Sequence, residues 1–152
     1  MGTPVAYNDI RDQIQSILEG DARTNSAKIY VEEEPQFGLS DVQQAILMWL
    51  SRRNAPPSAQ PLAAGMRTRY HLQISLACVC FNMESFRKAC EMRDTLTGNL
   101  ELVLMANRTL GGKVETSWLE GGELYSARNP QDACFVAIAE TTLTAEVLAV
   151  NT

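Results

Sequence analysis

The residues able to do chemistry are few and scattered. The one histidine, His71, could be grouped with Ser75 and an aspartate, yet nothing in the sequence brings a base, a nucleophile and an orienting acid together. A single histidine on the polar face of a strand is more often an exposed or interface residue. Zinc wants thiolates or imidazoles at spacings such as Cys-x-x-Cys, and Cys78, Cys80, Cys90 and Cys134 offer no such pair. They are expected to be buried free thiols that pack as small hydrophobes, not a disulfide framework. Gly111-Gly112 and Gly121-Gly122 lack the following helix and the Lys-Ser/Thr pair of a phosphate loop and read as turn glycines. Glu120 and Glu123 flank the second pair as solvated carboxylates. Glu32-Glu33-Glu34 is either a solvated loop or a surface that repels DNA. No catalytic, cofactor-binding or metal-ligating residue is assigned, and the chain is expected not to be an enzyme.

Composition narrows the classes further. At 152 residues, 45% hydrophobic and 20% charged, the chain fits one domain, residues 1–152, with a sizeable core. A formal net charge of -5 argues against a dedicated nucleic-acid binder, which neutralises phosphates with a basic face. No run approaches the roughly 20 apolar residues of a membrane-spanning helix, and Met1 to Glu19 has no basic region followed by an apolar stretch. A cytosolic protein with no membrane partner is expected.

The elements follow from periodicity. Thr3-Pro4 reads as a helix start; Ile10, Ile14, Ile17 and Leu18 form one apolar stripe, and Gly20 can end the helix in the left-handed conformation. Lys28 to Val31 is a short strand stopped by the acidic run and Pro35. Ala45 to Leu50 reads as a strand covered on both sides, although so short an apolar run could also be helical. Asn54 to Gly65, with three prolines and no periodicity, is a long exposed loop. Arg67 to Phe81 alternates: Tyr70, Leu72, Ile74, Leu76, Cys78 and Cys80 face one way, His71, Gln73 and Ser75 the other. Its second face turns apolar at Ala77, Val79 and Phe81, so that end is covered on both sides, with a partner subunit as one candidate cover.

Asn82 can cap a second helix striped by Phe86, Ala89, Cys90, Arg93, Leu96, Leu100, Val103 and Leu104, with a bend possible at Thr97-Gly98. Val114, Thr116 and Trp118 then lead into a turn at Glu120-Gly121-Gly122-Glu123 and back through Leu124 to Arg128, a β-hairpin. Cys134 to Val150 is a strand region with Phe135, Ala137, Ala139, Leu143, Ala145 and Val147 on one face and Glu140, Thr142, Thr144 and Glu146 on the other. Fully extended it would span about 55 Å, so it must bend, break or project beyond its own domain. The fold class is α+β: a mostly antiparallel sheet of about five strands with two helices on one face, plus a β-hairpin and a long Pro/Ala loop.

The run Asn107-Arg108-Thr109-Leu110-Gly111-Gly112-Lys113-Val114, then Leu119-Glu120-Gly121-Gly122-Glu123-Leu124 and Ala139-Glu140-Thr141-Thr142-Leu143-Thr144-Ala145, resembles tail terminator (tail completion) proteins of tailed bacteriophages. Phe86-Arg87-Lys88-Ala89-Cys90 and Met92-Arg93-Asp94 on the preceding helix fit the same order of elements. Ser40-Asp41-Val42-Gln43-Gln44 departs from it by lacking a proline. The resemblance implies a subunit of a six-fold ring in the virion tail or neck, assembled in the host cytoplasm. Such a ring sits on the last tail-tube ring, stops tube polymerisation and presents a surface to a head-completion or neck protein. A head-completion or neck adaptor is the nearest alternative, and a small α+β enzyme, a ligand-binding domain or a nucleic-acid-binding module are alternatives of other classes.

Two sets of residues would carry such a role. Pro56, Pro57, Pro61 and Leu62 of the loop, with Ala77, Val79 and Phe81 of the long strand, are expected at protein interfaces. DNA would pass through the ring without being bound, and Glu32, Glu33, Glu34, Glu140 and Glu146 are the candidates to line the channel, since six copies carry a charge of about -30.

Overall fold

The computed structural model describes residues 7–32, 43–54, 67–129 and 134–150, with backbone alone at 54, 67–70, 127–129 and 148–150. The Thr3-Pro4 helix start, Glu33, Glu34 and the loop residues Pro56, Pro57, Pro61 and Leu62 lie outside the described residues.

Helix α1 (Tyr7–Gly20) buries Ile10, Ile14 and Leu18, the stripe expected from the sequence. Its exit does not use a left-handed glycine, because Gly20 is not among the residues with positive φ. Thr24 closes the end instead: its buried hydroxyl donates to the Leu18 carbonyl at 2.6 Å, satisfying a carbonyl that the last turn leaves without a helical partner.

Five strands follow the order β1-β2-β3-β5-β4, with β1 (Lys28–Val31), β2 (Gln44–Asn54), β3 (Arg67–Asn82), β4 (Thr116–Asn129) and β5 (Cys134–Val150). β1 runs parallel to β2, and the other pairs are antiparallel. Residues 45–50 are strand rather than helix, and β2 continues through the polar residues Ser51 to Asn54. Helix α2 (Phe86–Met105) and α1 share one core with the even-numbered residues of β3: Ile14, Leu18, Leu100 and Leu104 meet Leu72, Ile74, Leu76 and Cys78. Ala137, Ala139 and Ala145 on β5 are buried on this same side, where small side chains let α2 approach the sheet closely.

Three local expectations are corrected. The cap of α2 is Ser85, whose hydroxyl accepts from the Lys88 amide at 3.0 Å. Asn82 instead accepts from the amides of Glu84 and Ser85, turning the chain out of β3. The helix then runs unbroken through Gly98, while Phe86 is 44% exposed, its ring 6.4 Å from that of Phe135. Packing below Leu96 and Leu100 outweighs the roughly 1 kcal/mol cost of a glycine.

The third correction concerns Gly121-Gly122. β4 passes through them as one strand along β5, with no hairpin turn there. Gly121 pairs with Thr141 and Leu124 with Ala139, so Gly122 and Glu123 together oppose Glu140. Two residues against one is a β-bulge. A two-residue hairpin of type I′ needs positive φ at both central residues, which neither glycine has. The antiparallel pairing of β4 with β5 reaches as far as Asn129 and Cys134. By contrast Gly111 and Gly112 have positive φ and turn the chain between α2 and β4.

Candidate protein interface

Both helices lie on one face of the sheet, and no described element lies over the other. That second face has two halves. In one, Ala77 and Val79 are each 4% exposed and sit with Tyr30 and Ala45 in an apolar cluster ringed by Leu47, Trp49, Phe81, Val136 and Ile138. β3 is flanked here by β2 on one side and β5 on the other, which supply the neighbouring members of the cluster. The expected apolar turn of this face at Ala77, Val79 and Phe81 is present, and the five ringing side chains remain partly open. Val136 and Ile138 were legible as apolar residues on the otherwise polar face of β5; Tyr30, Leu47 and Trp49 joined them only once the strand order was known.

The other half is polar. His71 Nε2 lies 3.6 Å from Glu146 Oε2 across the β3–β5 pair, and the edge of Trp118 approaches the imidazole at a centroid distance of 5.7 Å. Thr144, buried alongside, has a hydroxyl with no hydrogen-bond partner among the described residues. Ser75 pairs with Thr142 and stands four residues along β3 from His71, about 13 Å, so the two do not form a nucleophile and base.

The acidic candidates are not brought together. Glu32 ends β1 with φ 50 and spends its carboxylate on the fold, accepting from the Leu50 amide at 3.1 Å and pairing with Arg11 of α1. Glu140 opposes Ala77 and the bulge, and Glu146 opposes His71. These two share the face of β5 turned away from the helices, about 20 Å apart along the strand.

The four cysteines are free. Cys78 and Cys80 are fully buried beneath α2, and burial pushes their thiols up to about 11 and about 12. Thiols held neutral this strongly are packing groups, not nucleophiles. Cys134 is buried and Cys90 half-buried on α2. Among the described residues no three His, Cys, Asp or Glu side chains are grouped to hold a metal ion, and no helix is long and apolar enough to cross a membrane. A groove of about 590 Å³ runs between the turn after α1 and the first half of α2, past Arg23, Gln44, Asn82, Glu91 and Asn99.

β3 and β5 form a ribbon longer than the rest of the sheet. β2 leaves β3 at the Asn54–His71 pair, and β4 leaves β5 at Thr116–Glu146. Residues 67–70 and 147–150 pair with each other beyond both neighbours. The expected projection of β5 is therefore made by an unbroken strand carried on β3.

No protein-family model matches the chain, and no curated protein matches it. Among solved structures it is similar to the sheath/tube terminator of PVC, an extracellular contractile injection system, in the extended state, at a TM-score of 0.45 and 8% identity. The match covers 99% of this chain and 58% of the other, so the chain spans less than two thirds of that structure. At that TM-score the likeness does not carry a function to this chain.

Proposed function

We propose that the chain is a structural subunit, one tail-terminator-like domain over residues 1–152, that closes with five other copies into a ring on the end of a phage tail tube. The ring ends tube polymerisation and offers its far side to a head-completion or neck protein, in the virion tail or neck. The observation that supports this most is the two-sided sheet: one face is filled by α1 and α2, while the other holds an apolar cluster rimmed by Leu47, Trp49, Phe81, Val136 and Ile138 under no described element. Contiguous partly open apolar surface of this kind marks protein contact. The projecting β3–β5 ribbon gives such contacts reach, and the sequence resemblance names the kind of assembly. The work is done by surfaces, with no catalytic step. In this reading the loop between β2 and β3 docks on the neighbouring ring. Deleting Pro56 to Ala64 then leaves folding intact and abolishes tube capping; a deletion that still caps tubes contradicts the reading.

A further inference from the structure

One edge of the sheet is short and the other is long. β1 ends the strand order with four residues, whereas β4 ends it with 14, free of proline and with no described strand along its outer side. A long edge presents a row of backbone amides and carbonyls on which another strand can pair. Trp118, Leu124 and Tyr125 along it are all exposed, Leu124 to 63%.

The residue order of this edge reads the same in both directions. Ser117-Trp118-Leu119-Glu120-Gly121 is mirrored by Gly122-Glu123-Leu124-Tyr125-Ser126, with tyrosine standing for tryptophan. Two copies laid antiparallel about the Gly121–Gly122 bond would set serine against serine, tryptophan against tyrosine and leucine against leucine, each pair twice. In a regular strand this register fails, because residues an odd number apart point to opposite faces. The bulge at Gly122 and Glu123 restores it. Leu119 opposes Leu143 and Leu124 opposes Ala139, both odd-numbered positions of β5, so the two leucines share the helix side. Ser117 and Ser126, opposite Ala145 and Ala137, lie on that side as well. Trp118 and Tyr125 oppose Thr144 and Ile138, so both rings lie on the other face. Matched residues thus have matched faces, which is the condition for an antiparallel pair of strands.

We propose that β4 is a self-recognition edge: off the tube, two copies of this chain join their sheets through antiparallel β4 strands about a two-fold axis at Gly121–Gly122. Such a contact uses the same surface on both partners, whereas neighbours round a six-fold ring meet head to tail through two different surfaces. The pair is therefore a state of the free chain, separate from the ring, that covers the long edge until the ring forms. Glu120 of each copy falls opposite Glu123 of the other, and like charges directly across a strand pair oppose association. Salt screens that repulsion. The pair tightens with added salt, the reverse of a contact made by ion pairs.

The test uses the full chain alone, without tube protein. Sedimentation over a concentration series at low and high salt reads the association of wild type, Glu120→Gln and Leu124→Asp, with circular dichroism confirming each fold. Wild type is expected to dimerise and to tighten in high salt. Glu120→Gln relieves both like-charge pairs and should associate about tenfold more tightly at low salt, and Leu124→Asp about tenfold more weakly. Register is read by mild oxidation of Trp118→Cys mixed with Tyr125→Cys, with wild type controlling for the native thiols. These two positions fall opposite each other, within disulfide reach. Two copies of either variant alone hold the new thiols seven residues apart, about 23 Å, which is out of reach. Cross-linking in the mixture and in neither variant alone supports the two-fold pair. A chain that stays monomeric at every concentration, or that cross-links as readily in one variant alone as in the mixture, overturns it. So does a wild type whose association weakens with salt. Because no tube is present, each of these failures leaves tube capping standing, and a failure to cap tubes leaves the β4 pair standing in turn.

Discussion

The Cα of Gly122 faces the backbone carbonyl of Glu140 so closely that a Cβ there would stand 2.6 Å from the oxygen. The bulge in β4 thus depends on a missing side chain. Gly122→Ala is expected to cost about 1–3 kcal/mol, because the atom it meets is backbone and cannot swing away. Gly121→Ala next to it meets nothing within 4 Å and should stay within about 0.5 kcal/mol of wild type. Urea midpoints of the two variants check the contrast, and equal effects would contradict it.

The buried thiols set an alkaline limit. Cys78 and Cys80 titrate near 9 when unfolded and at about 11 and about 12 in the fold, raised by burial. An acid whose folded value is raised adds stability that is complete below about pH 9 and is lost as pH climbs toward the folded values, since only the unfolded chain releases the protons. Denaturation midpoints should fall between about pH 9 and pH 11, and the slope should flatten in Cys78→Ala with Cys80→Ala. In the native protein a thiol reagent should modify Cys90, the half-buried one, ahead of the other three.

The sheet face over which no described element lies gives a third expectation. Phe81→Ser and Ile138→Ser remove apolar surface from the rim of the cluster around Ala77 and Val79, at a cost to the isolated fold of about 1–2 kcal/mol each. The pair should leave circular dichroism native and abolish self-association on tubes. Normal ring formation by the double variant would detach this face from assembly.

Of the channel candidates, Glu33 and Glu34 lie outside the described residues, Glu32 is committed to Arg11 and the Leu50 amide, and Glu140 and Glu146 share the face of β5 turned away from the helices. Glu146→Lys, on the polar half of that face away from the apolar cluster, should leave ring assembly intact and slow DNA ejection at low salt by creating phosphate contacts. Unaltered ejection would place the channel lining elsewhere.

How much of this was legible in the sequence depended on the range of the interactions involved. β3 was read from strict alternation, and α1 from Ile10, Ile14 and Leu18 at helical spacing; both patterns are local and both elements are present. The bulge at Gly121-Gly122 has the sequence of a turn, because two glycines between apolar runs are compatible with either. What decides is the register of β5, which lies outside the segment. Asn82 and Ser85 both suit an N-cap, and the choice fell to where β3 releases the chain. The apolar face was half visible: Ala77, Val79 and Phe81 stood out within one strand, whereas Trp49 and Ile138 joined them only through the order β2-β3-β5. Likewise Glu32 read as a solvated acid, and its bond to the Leu50 amide 18 residues away has no sequence signal.

The central claim is a ring that caps a tube, and its most direct measurement is negative-stain imaging of the purified protein mixed with polymerising tail-tube protein. The account predicts tubes of limited length whose ends carry a six-fold ring of this chain, with light scattering showing the same closed oligomer in the mixture. Tubes that grow without limit and bare ends, with the chain remaining a monomer beside them, would contradict it.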